Sequence, residues 1–394
     1  MGAQKSIQAG KAKIDVNVDF SHQLCGTLFP AYLNALRHSD SPLSQIIGSL
    51  CIKHPNLFGR SEKLDVLLDK GLYESNIFVA YRRPSSHWLA QQTFVVQHSV
   101  APEVAVHGVP VDNFSRSGSG GVNLCRFSAG LNLNEPASSA WSSTTSIRYE
   151  HVRLLNDDGR CISRDMSGLP VTCRYHSFDE SIQPRRAAFA KTQAVSSILS
   201  FDRKLGGLHD NMVVVKTESQ YGTAKDDSFS QLNFQIEQGL PIFPKWLAFN
   251  RFKFLARRGT KVGPVFLLMS LTGGSIVGDM APCQAFSIGG IGSVRGYGEG
   301  AVGSGRQCLI VNNEVSVPLT KLFEGALFLD FGTDLGSGRL VPGNPALRYG
   351  KPGSGVGYGC SLRFRSQVGQ VQVDYAINGF QQTSIYFGIS NAAS

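Results

Sequence analysis

A glycine-rich segment at residues 289–300 carries the residue types most suited to a specific interaction. Its sequence is Gly-Gly-Ile-Gly-Ser-Val-Arg-Gly-Tyr-Gly-Glu-Gly, with Arg295 and Tyr297 among small residues. Glycine tolerates positive φ and lets backbones approach closely, so such a loop can enter a narrow space and present the guanidinium there. The chemistry available to a confined guanidinium is an ion pair with a carboxylate. The flanking sequence indicates that the space is the interior of a β-barrel.

A carboxylate suited to pair with Arg295 lies one hairpin further along the chain. Asp330 interrupts the apolar run Phe-Leu-Asp-Phe-Gly at 328–332, so in a barrel wall it is expected to face inward. Such a pair would add little net stability, because desolvation largely offsets the attraction, but it would fix the position of the loop. Two alternatives stay open: Arg295 as a solvated loop residue, and Asp330 as a turn former at the end of a strand.

The sequence shows no motif of a catalytic, metal or nucleic-acid site. The eight cysteines include no C-x-x-C pair and are not clustered with histidines, so we predict no metal site. No nucleophile elbow, H-E-x-x-H or Walker loop is present, and the glycines at 353–359 lead into a predicted strand rather than a helix. The net charge of +9 is scattered along the chain. We therefore predict a protein that is not an enzyme, uses no cofactor and binds no nucleic acid.

The dominant period of the sequence is two residues. In one segment Val371, Val373, Tyr375 and Ile377 alternate with Gln370, Gln372, Asp374 and Ala376. Several such segments of about ten residues have one apolar and one polar face, which is typical of membrane strands between lipid and a wet lumen. A soluble β-sandwich also alternates, so both interpretations stay open at this point. No run reaches the roughly 18 apolar residues that a membrane-spanning helix needs.

The pattern predicts an all-β fold, a transmembrane antiparallel β-barrel of about 16 strands, an even number as expected for closed antiparallel barrels. The predicted strands are 11–20, 60–69, 71–82, 87–98, 121–133, 138–154, 192–203, 210–220, 227–238, 246–257, 264–274, 306–318, 324–332, 354–365, 368–377 and 382–390. By strand parity the long connections 21–59, 275–305 and 333–353 lie at one edge of the sheet. Those at 99–120 and 155–191 lie at the other edge, as genuine excursions or because one strand is misplaced. Residues 41–52 could form a short amphipathic helix.

The loop residues Val294, Arg295, Gly296 and Tyr297 resemble the signature loop of the BamA-like superfamily of outer-membrane assembly and translocation barrels. In that family the loop enters the lumen between strands eleven and twelve, which is where it falls here. The Phe-x-Asp-x-Gly pattern at 328–332 resembles the motif whose aspartate pairs with the loop arginine. The resemblance therefore implies Asp330 and Glu314 as acidic partners of the loop. It covers nearly the whole chain and is strongest for the plastid outer-envelope branch, relatives of the chloroplast import channel.

The resemblance also implies a place, a gate and a function. We expect a multi-pass barrel in the chloroplast outer envelope that helps to insert or translocate proteins. Its partners would be membrane lipids, client membrane proteins and full-length assembly relatives. The lateral gate would lie between the first and last strands, at Ile14, Val16, Val18, Ile385, Phe387 and Ile389. The alternative is a pore for ions, small solutes or peptides.

One departure from the family concerns the soluble POTRA domains that usually precede the barrel. The first predicted strand begins at residue 11, so we expect a short N-terminal extension over 1–10, a barrel over 11–394 and no POTRA domain. POTRA domains collect clients, and their absence favours a short, barrel-only form.

Overall fold

The computed structural model consists of β-strands, turns and short 3-10 segments. It describes residues 3–8, 11–16, 24–29, 33–34, 47–54, 56–71, 74–84, 90–103, 122–135, 140–164, 209–225, 227–243, 246–341, 351–365 and 369–391. Within this part of the chain no helix is long and apolar enough to cross a membrane. The all-β class predicted from the period of two is confirmed.

The strands follow one another with few interruptions. Before the glycine-rich loop they are β1 (Ala3–Gln8), β2 (Lys11–Val16), β3 (Leu24–Phe29), β4 (Leu33–Asn34), β5 (Ile47–His54), β6 (Lys63–Lys70), β7 (Ser75–Arg82), β8 (Gln91–Pro102), β9 (Asn123–Asn134), β10 (Trp141–Leu155), β11 (His209–Lys225), β12 (Ser228–Leu240), β13 (Phe249–Val262) and β14 (Val265–Gly278). Flanking it and after it they are β15 (Phe286–Ile288), β16 (Gly303–Gly305), β17 (Gln307–Pro318), β18 (Phe323–Thr333), β19 (Ser354–Arg365), β20 (Gly369–Asn378) and β21 (Thr383–Asn391). Two 3-10 turns cover Pro282–Gln284 and Ser337–Leu340.

One antiparallel sheet contains all the long strands, and we call it the main sheet. From β5 to β14 each strand pairs with the next, β14 pairs with β17, and the pairing continues to β21. The strand order is circular, because β21 is followed by the N-terminal strands β3 to β5. At that junction two residue pairs, Tyr386 with Asn34 and Phe387 with Leu33, join β21 to β4.

The two faces of the main sheet have opposite character, and burial is inverted relative to a soluble protein. On β18 the side chain of Leu329 is 51% exposed, whereas the adjacent Asp330 is completely buried. On β20 the exposed Val373 and Tyr375 alternate with the buried Asp374 and Ala376. We call the first surface the apolar face and the second the buried face. The alternation in the sequence thus places apolar side chains outward and polar side chains inward.

Two changes to the predicted strands alter the topology. β5 was not predicted, and it pairs with β6, which adds a strand near the N-terminus. The predicted strand 192–203 lies outside the described residues, and β10 pairs directly with β11, so no described strand separates them. With no described strand between β10 and β11, the connections 103–122, 156–208, 279–306 and 334–353 all leave the same edge, because neighbouring antiparallel strands alternate in direction. The parity conflict therefore came from a misplaced strand.

The N-terminal region differs from its prediction in two further respects. The segment expected as an amphipathic helix at 41–52 contains the start of β5, so the helix prediction is wrong over residues 47–52. The predicted first barrel strand at 11–20 is also wrong, because β2 pairs with β1 in a separate two-stranded sheet. The described strand that pairs with β21 at the junction is β4.

The largest apolar core lies on the buried face around the connection 279–306. Its members come from the connection and from the strands beneath it: Ile276, Met280, Ala285, Phe286, Ile288, Val294, Tyr297, Val302, Cys308, Ile310 and Val341. A second cluster of Val152, Met212, Val214, Leu247, Phe249 and Ala281 adjoins the start of the same connection. The connection is therefore packed against the sheet along much of its length.

Candidate functional site

The glycine-rich loop is held at its base by a small β-ribbon. β15 and β16 pair antiparallel and carry residues 289–302 as their tip, and the Val302 N–H donates to the Ile288 carbonyl at 2.9 Å. Within the tip the Gly290 N–H donates to the Val294 carbonyl, and the Gly289 N–H donates to Ser293 Oγ at 2.7 Å. We call residues 289–302 the tip loop. These internal hydrogen bonds help to define its conformation independently of its contacts with the main sheet.

Arg295 is buried against β18, and one edge of its guanidinium binds both carboxylate oxygens of Asp330. Arg295 Nε donates to Asp330 Oδ2 at 2.7 Å and Nη2 donates to Oδ1 at 2.9 Å, a bidentate geometry that adds directional specificity. The Arg295 backbone N–H also donates to Asp330 Oδ2, at 3.2 Å. Arg295 Nη1 donates to Glu314 Oε2 of β17 at 3.3 Å. The structure thus brings together the arginine and both of its expected acidic partners.

The charge cluster extends beyond these three residues. Asp374 Oδ2 of β20 lies 3.9 Å from Arg295 Nη1, and Arg363 Nη2 of β19 lies 2.6 Å from Glu314 Oε1. The guanidinium carbon of Arg295 lies 3.5 Å from the centroid of the Phe328 ring. Burial by itself lowers the pKa of Arg295, but the hydrogen bonds and charge of Asp330 and the charges of Glu314 and Asp374 raise it above its usual value. Arg295 therefore stays charged.

The Phe-x-Asp-x-Gly segment of β18 forms a seat for the tip loop. Phe328, Asp330 and Gly332 share the buried face, because side chains on a strand alternate between faces. Phe328 contacts the guanidinium, Asp330 binds it, and a methyl group on Gly332 would lie 2.6 Å from Cγ2 of Val294. Val294 is fully buried in the core described above. Phe328 and Asp330 thus contact the Arg295 guanidinium, and Gly332 leaves room for Val294.

Gly296 and Tyr297 bind the hairpin formed by β20 and β21. The Gly296 N–H donates to the Tyr386 hydroxyl at 2.8 Å, and that hydroxyl donates to the Tyr297 carbonyl at 2.8 Å. Asn378 Nδ2 donates to the Gly296 carbonyl at 3.1 Å. Gly296 has φ of 93°, a value that favours glycine, and a methyl group there would meet the Asn378 backbone. The tip loop is therefore attached to β21, the strand at the junction.

Several residues of this site were not identified from the sequence: Tyr386, Asn378, Asp374, Arg363 and Gly357. A methyl group on Gly357 of β19 would overlap the carbonyl oxygen of Arg295, and one on Gly355 would contact the Tyr297 ring. Gly355, Gly357 and Gly359 stand at every second position, so they clear one face of the strand. That spacing was the available signal, because strand glycines often mark a close backbone approach.

The predicted gate residues fall into two groups. Ile385, Phe387 and Ile389 lie on β21, at the junction with β4. Ile14 and Val16 lie on β2, which pairs with β1, so their placement beside the last strand is wrong. Val18 lies outside the described residues. The side of the junction opposite β21 is formed by Leu33 and Asn34.

No cluster of three or more histidine, cysteine, aspartate or glutamate side chains within the described ranges is arranged to hold a metal ion. The site described above consists of ion pairs and hydrogen bonds between the tip loop and the main sheet. The arrangement can position a loop and keep a charge away from water. It presents no nucleophile beside a general base among the residues named here.

Residues 56–392 match the Omp85 superfamily domain. Over 395 aligned residues the chain is 61% identical to Outer envelope protein 39, chloroplastic, of Arabidopsis thaliana, with 100% of this chain and 99% of that protein covered. It is 36% identical to Outer envelope protein 80, chloroplastic, of Arabidopsis thaliana, over 89% of this chain and 43% of that protein. The second relative is thus much longer than the part that matches.

The structure is similar to that of BamA from Haemophilus ducreyi lacking POTRA domains 1–3. The TM-score is 0.68 at 12% sequence identity, with 99% of this chain and 75% of that chain covered. At this identity the likeness shows the fold alone. Together with the matched domain, the loop motif and its acidic seat on β18, it establishes that the chain belongs to the Omp85 superfamily.

Proposed function

We propose that this chain is a closed β-barrel of sixteen strands in the chloroplast outer envelope that helps to insert or translocate proteins there. The carrying observation is the buried tip loop, which is bonded to β17, β18 and β21 at once. Its location is supported by the names of its relatives, which are chloroplastic outer envelope proteins. In this proposal the buried face lines the lumen and the apolar face meets lipid.

A membrane location is supported by the spacing of aromatic residues on the apolar face. The rings of Trp141 and Tyr221 are in tilted contact, 5.0 Å between centroids, near the edge with short turns. The rings of Tyr149 and Trp246 are in tilted contact at 5.6 Å, towards the edge with long connections. The eight residue steps of β10 from Trp141 to Tyr149 span roughly 26 Å along the strand, or roughly 20 Å in height at a tilt of 35–45°. Aromatic girdles around an apolar band of about 25 Å are typical of outer-membrane barrels.

A lateral opening is supported by the short pairing at the junction. β20 and β21 are joined by nine residue pairs, whereas β21 and β4 share two. Fewer shared hydrogen bonds make this the weakest described pairing of the main sheet. Tyr386 of β21 also forms hydrogen bonds with the tip loop, so a movement of the loop would displace β21 at the junction. A barrel that opens here could offer a strand edge to a client.

The decisive experiment removes the chain from plastids and measures the abundance of other β-barrel proteins in the outer envelope. We expect their levels to fall, and wild-type chain to restore them. Arg295→Ala should restore them poorly, while Arg258→Gln, on the exposed end of β13 and outside the loop site, should restore them fully. Unchanged levels of the other barrels after removal of the chain would refute the insertion function.

A pore is the second candidate, favoured by the polar lining of the buried face away from the tip loop. A cavity of about 90 Å³ there is lined by Arg126, Arg148, Lys216 and Arg251 together with Glu150 and Glu237. Conductance across a planar bilayer separates the two candidates. If Arg295→Ala enlarges a steady conductance and leaves the other envelope barrels at wild-type levels, the pore function replaces the insertion function.

A further inference from the structure

A basic patch lies on the apolar face, near the edge of the main sheet from which the long connections leave. It consists of Arg153 and His151 on β10 and His209 on β11. Arg153 is directly opposite His209 in the antiparallel register, and the rings of His151 and His209 lie 4.9 Å apart. The three residues share a face with the exposed Ile147, because they stand at alternate positions or opposite them. Basic side chains thus continue the surface that we assign to lipid.

The height of the patch corresponds to the headgroup layer of a bilayer. Tyr149, whose ring is in contact with that of Trp246, marks the end of the apolar band on β10. Arg153 lies four residues further, roughly 13 Å along the strand and roughly 10 Å in height at the usual tilt. The headgroup and interfacial layer on each side of the hydrocarbon core is about 5–8 Å thick. The long arginine side chain can reach back towards the core and place its guanidinium in that layer. The guanidinium is therefore beyond the acyl chains and within reach of lipid phosphates.

Arg153 has unsatisfied hydrogen-bond donors. Among the described residues it forms no hydrogen bond or ion pair, and its Nε is buried without a partner. The nearby Asp157 accepts instead from Asn123 Nδ2, at 3.1 Å. A buried donor without a partner in the protein is usually satisfied by a water molecule or an ion. Because the donor is cationic, the ligand it calls for is an anion.

The surroundings of Arg153 are held in place by hydrogen bonds. His151 Nδ1 lies 2.6 Å from Asn211 Oδ1, and the Tyr149 hydroxyl donates to the same oxygen at 3.1 Å. The carbonyl of Asn211 can only accept, so His151 carries its proton on Nδ1. The patch is thus a fixed group of side chains that surrounds an unpaired cation.

We propose that the patch binds the phosphate of an anionic glycerophospholipid. Arg153 contacts the phosphate, His151 and His209 flank it, and the acyl chains lie along Ile147 and Val215, which face each other across β10 and β11. The occupant is a lipid rather than a soluble anion because the patch adjoins the apolar face. The proposal rests on the membrane location given under the proposed function, but not on the tip loop or on protein insertion.

Native mass spectrometry of the folded chain in detergent tests the site, with phosphatidylglycerol and phosphatidylcholine of the same acyl chains as probes. We expect the chain to retain phosphatidylglycerol about fivefold better, the effect of one basic residue near an anionic surface. Arg153→Gln should abolish this preference. Arg258→Gln removes an exposed arginine from the apolar face at the opposite edge and should keep it. Each variant is first shown to stay folded by its resistance to unfolding in cold SDS.

Three outcomes would overturn the proposal: no preference in the wild-type chain, an unchanged preference in Arg153→Gln, or displacement of the lipid by free glycerol phosphate at equal concentration. The last would identify a site for soluble anions. Failure of the proposed function would look different. Release of the chain from envelopes by alkaline carbonate would refute the membrane location. Unchanged levels of the other envelope barrels after removal of the chain would refute the insertion function alone.

Discussion

Arg295 is more important for the position of the tip loop than for the stability of the fold. Three carboxylates and one aromatic ring, which belong to three strands, lie within contact distance of its guanidinium. Asp330, one of these carboxylates, is completely buried. The cost of removing these charges from water offsets most of their attraction, so the net gain of the intact cluster is small. Breaking it is costly, because an unpaired buried charge remains. The cluster therefore admits one position of the loop.

Exchange of the two central charges tests direct pairing. Arg295→Asp places a third carboxylate beside Asp330 and Glu314 and should destabilise the folded barrel by about 3–5 kcal/mol. Adding Asp330→Arg should restore part of this loss, because the pair is re-formed with opposite polarity. Urea unfolding in detergent measures both variants. An additive loss in the double variant would contradict direct pairing, although Glu314 limits the recovery to a fraction.

Gly357 tests how closely the tip loop lies against β19. A methyl group at this position would overlap the Arg295 carbonyl, which is backbone and cannot rotate away. We expect Gly357→Ala to lower stability by about 1–3 kcal/mol, the usual cost of overpacking. Gly222→Ala on β11 is the matched control, since no atom lies within 4 Å of its added methyl. Equal melting temperatures for the two variants would show that the loop does not occupy this place.

The central pair of the site could be predicted from the sequence, and its outer contacts could not. Asp330 was recognisable because a carboxylate inside an apolar run must have a local reason to be there. Tyr386 gave no such signal, since an alternating strand contains many polar positions and only the fold shows which one meets Gly296. The contact spans 90 residues of sequence. Spacing of residue types does not encode pairings at that distance.

At the scale of elements, strands with strict alternation were predicted within a few residues of their bounds. The predicted strand 354–365 coincides with β19, and 306–318 differs from β17 by one residue. One failure came at β5, where Ile47, Leu50 and Cys51 follow a helical spacing although they form a strand. Short apolar runs fit both periods, and pairing with β6 decides the outcome.

The hairpin β20–β21 should lose its hold on the tip loop when the Tyr386 hydroxyl is removed. Tyr386→Phe deletes one acceptor and one donor, and it leaves the Gly296 N–H and the Tyr297 carbonyl without these partners. We expect a loss of about 1–3 kcal/mol for unsatisfied buried groups. Amide hydrogen exchange should accelerate at residues 294–297 and along β21.

The control for this substitution is Tyr375→Phe on β20. Its side chain is exposed on the apolar face and forms no part of the loop contacts. Exchange at residues 294–297 should stay at the wild-type rate in this variant. Faster exchange in both variants would indicate a general loosening of the hairpin rather than a specific attachment of the loop.

At the scale of the whole molecule, the long connections lie at one edge of the main sheet and short turns lie at the other. The connections 103–122, 156–208, 279–306 and 334–353 belong to the first edge, and turns such as 263–264 and 319–322 belong to the second. A barrel built this way has two unlike ends.

Labelling of two cysteines tests which side of the membrane the long-connection edge faces and whether lipid covers the apolar face. Cys161 is exposed beside the long-connection edge, and Cys360 is exposed on the apolar face of β19. In intact membranes a charged maleimide should label Cys161 from one side and should leave Cys360 unlabelled, because lipid covers the apolar face. After denaturation both should react, as measured by mass spectrometry of the peptides. Labelling of Cys360 before denaturation would argue against a membrane-embedded sheet.

The attachment of the tip loop to β21 sets an order of events during biogenesis. Its anchors on β17 and β18 follow within 35 residues of Arg295, whereas the Tyr386 anchor comes 90 residues after Gly296. In a folding chain Arg295 can therefore bind β17 and β18 early, whereas Gly296 and Tyr297 can bind Tyr386 only when the C-terminal hairpin is in place. The complete set of contacts can therefore form only after the far end of the sheet is in place.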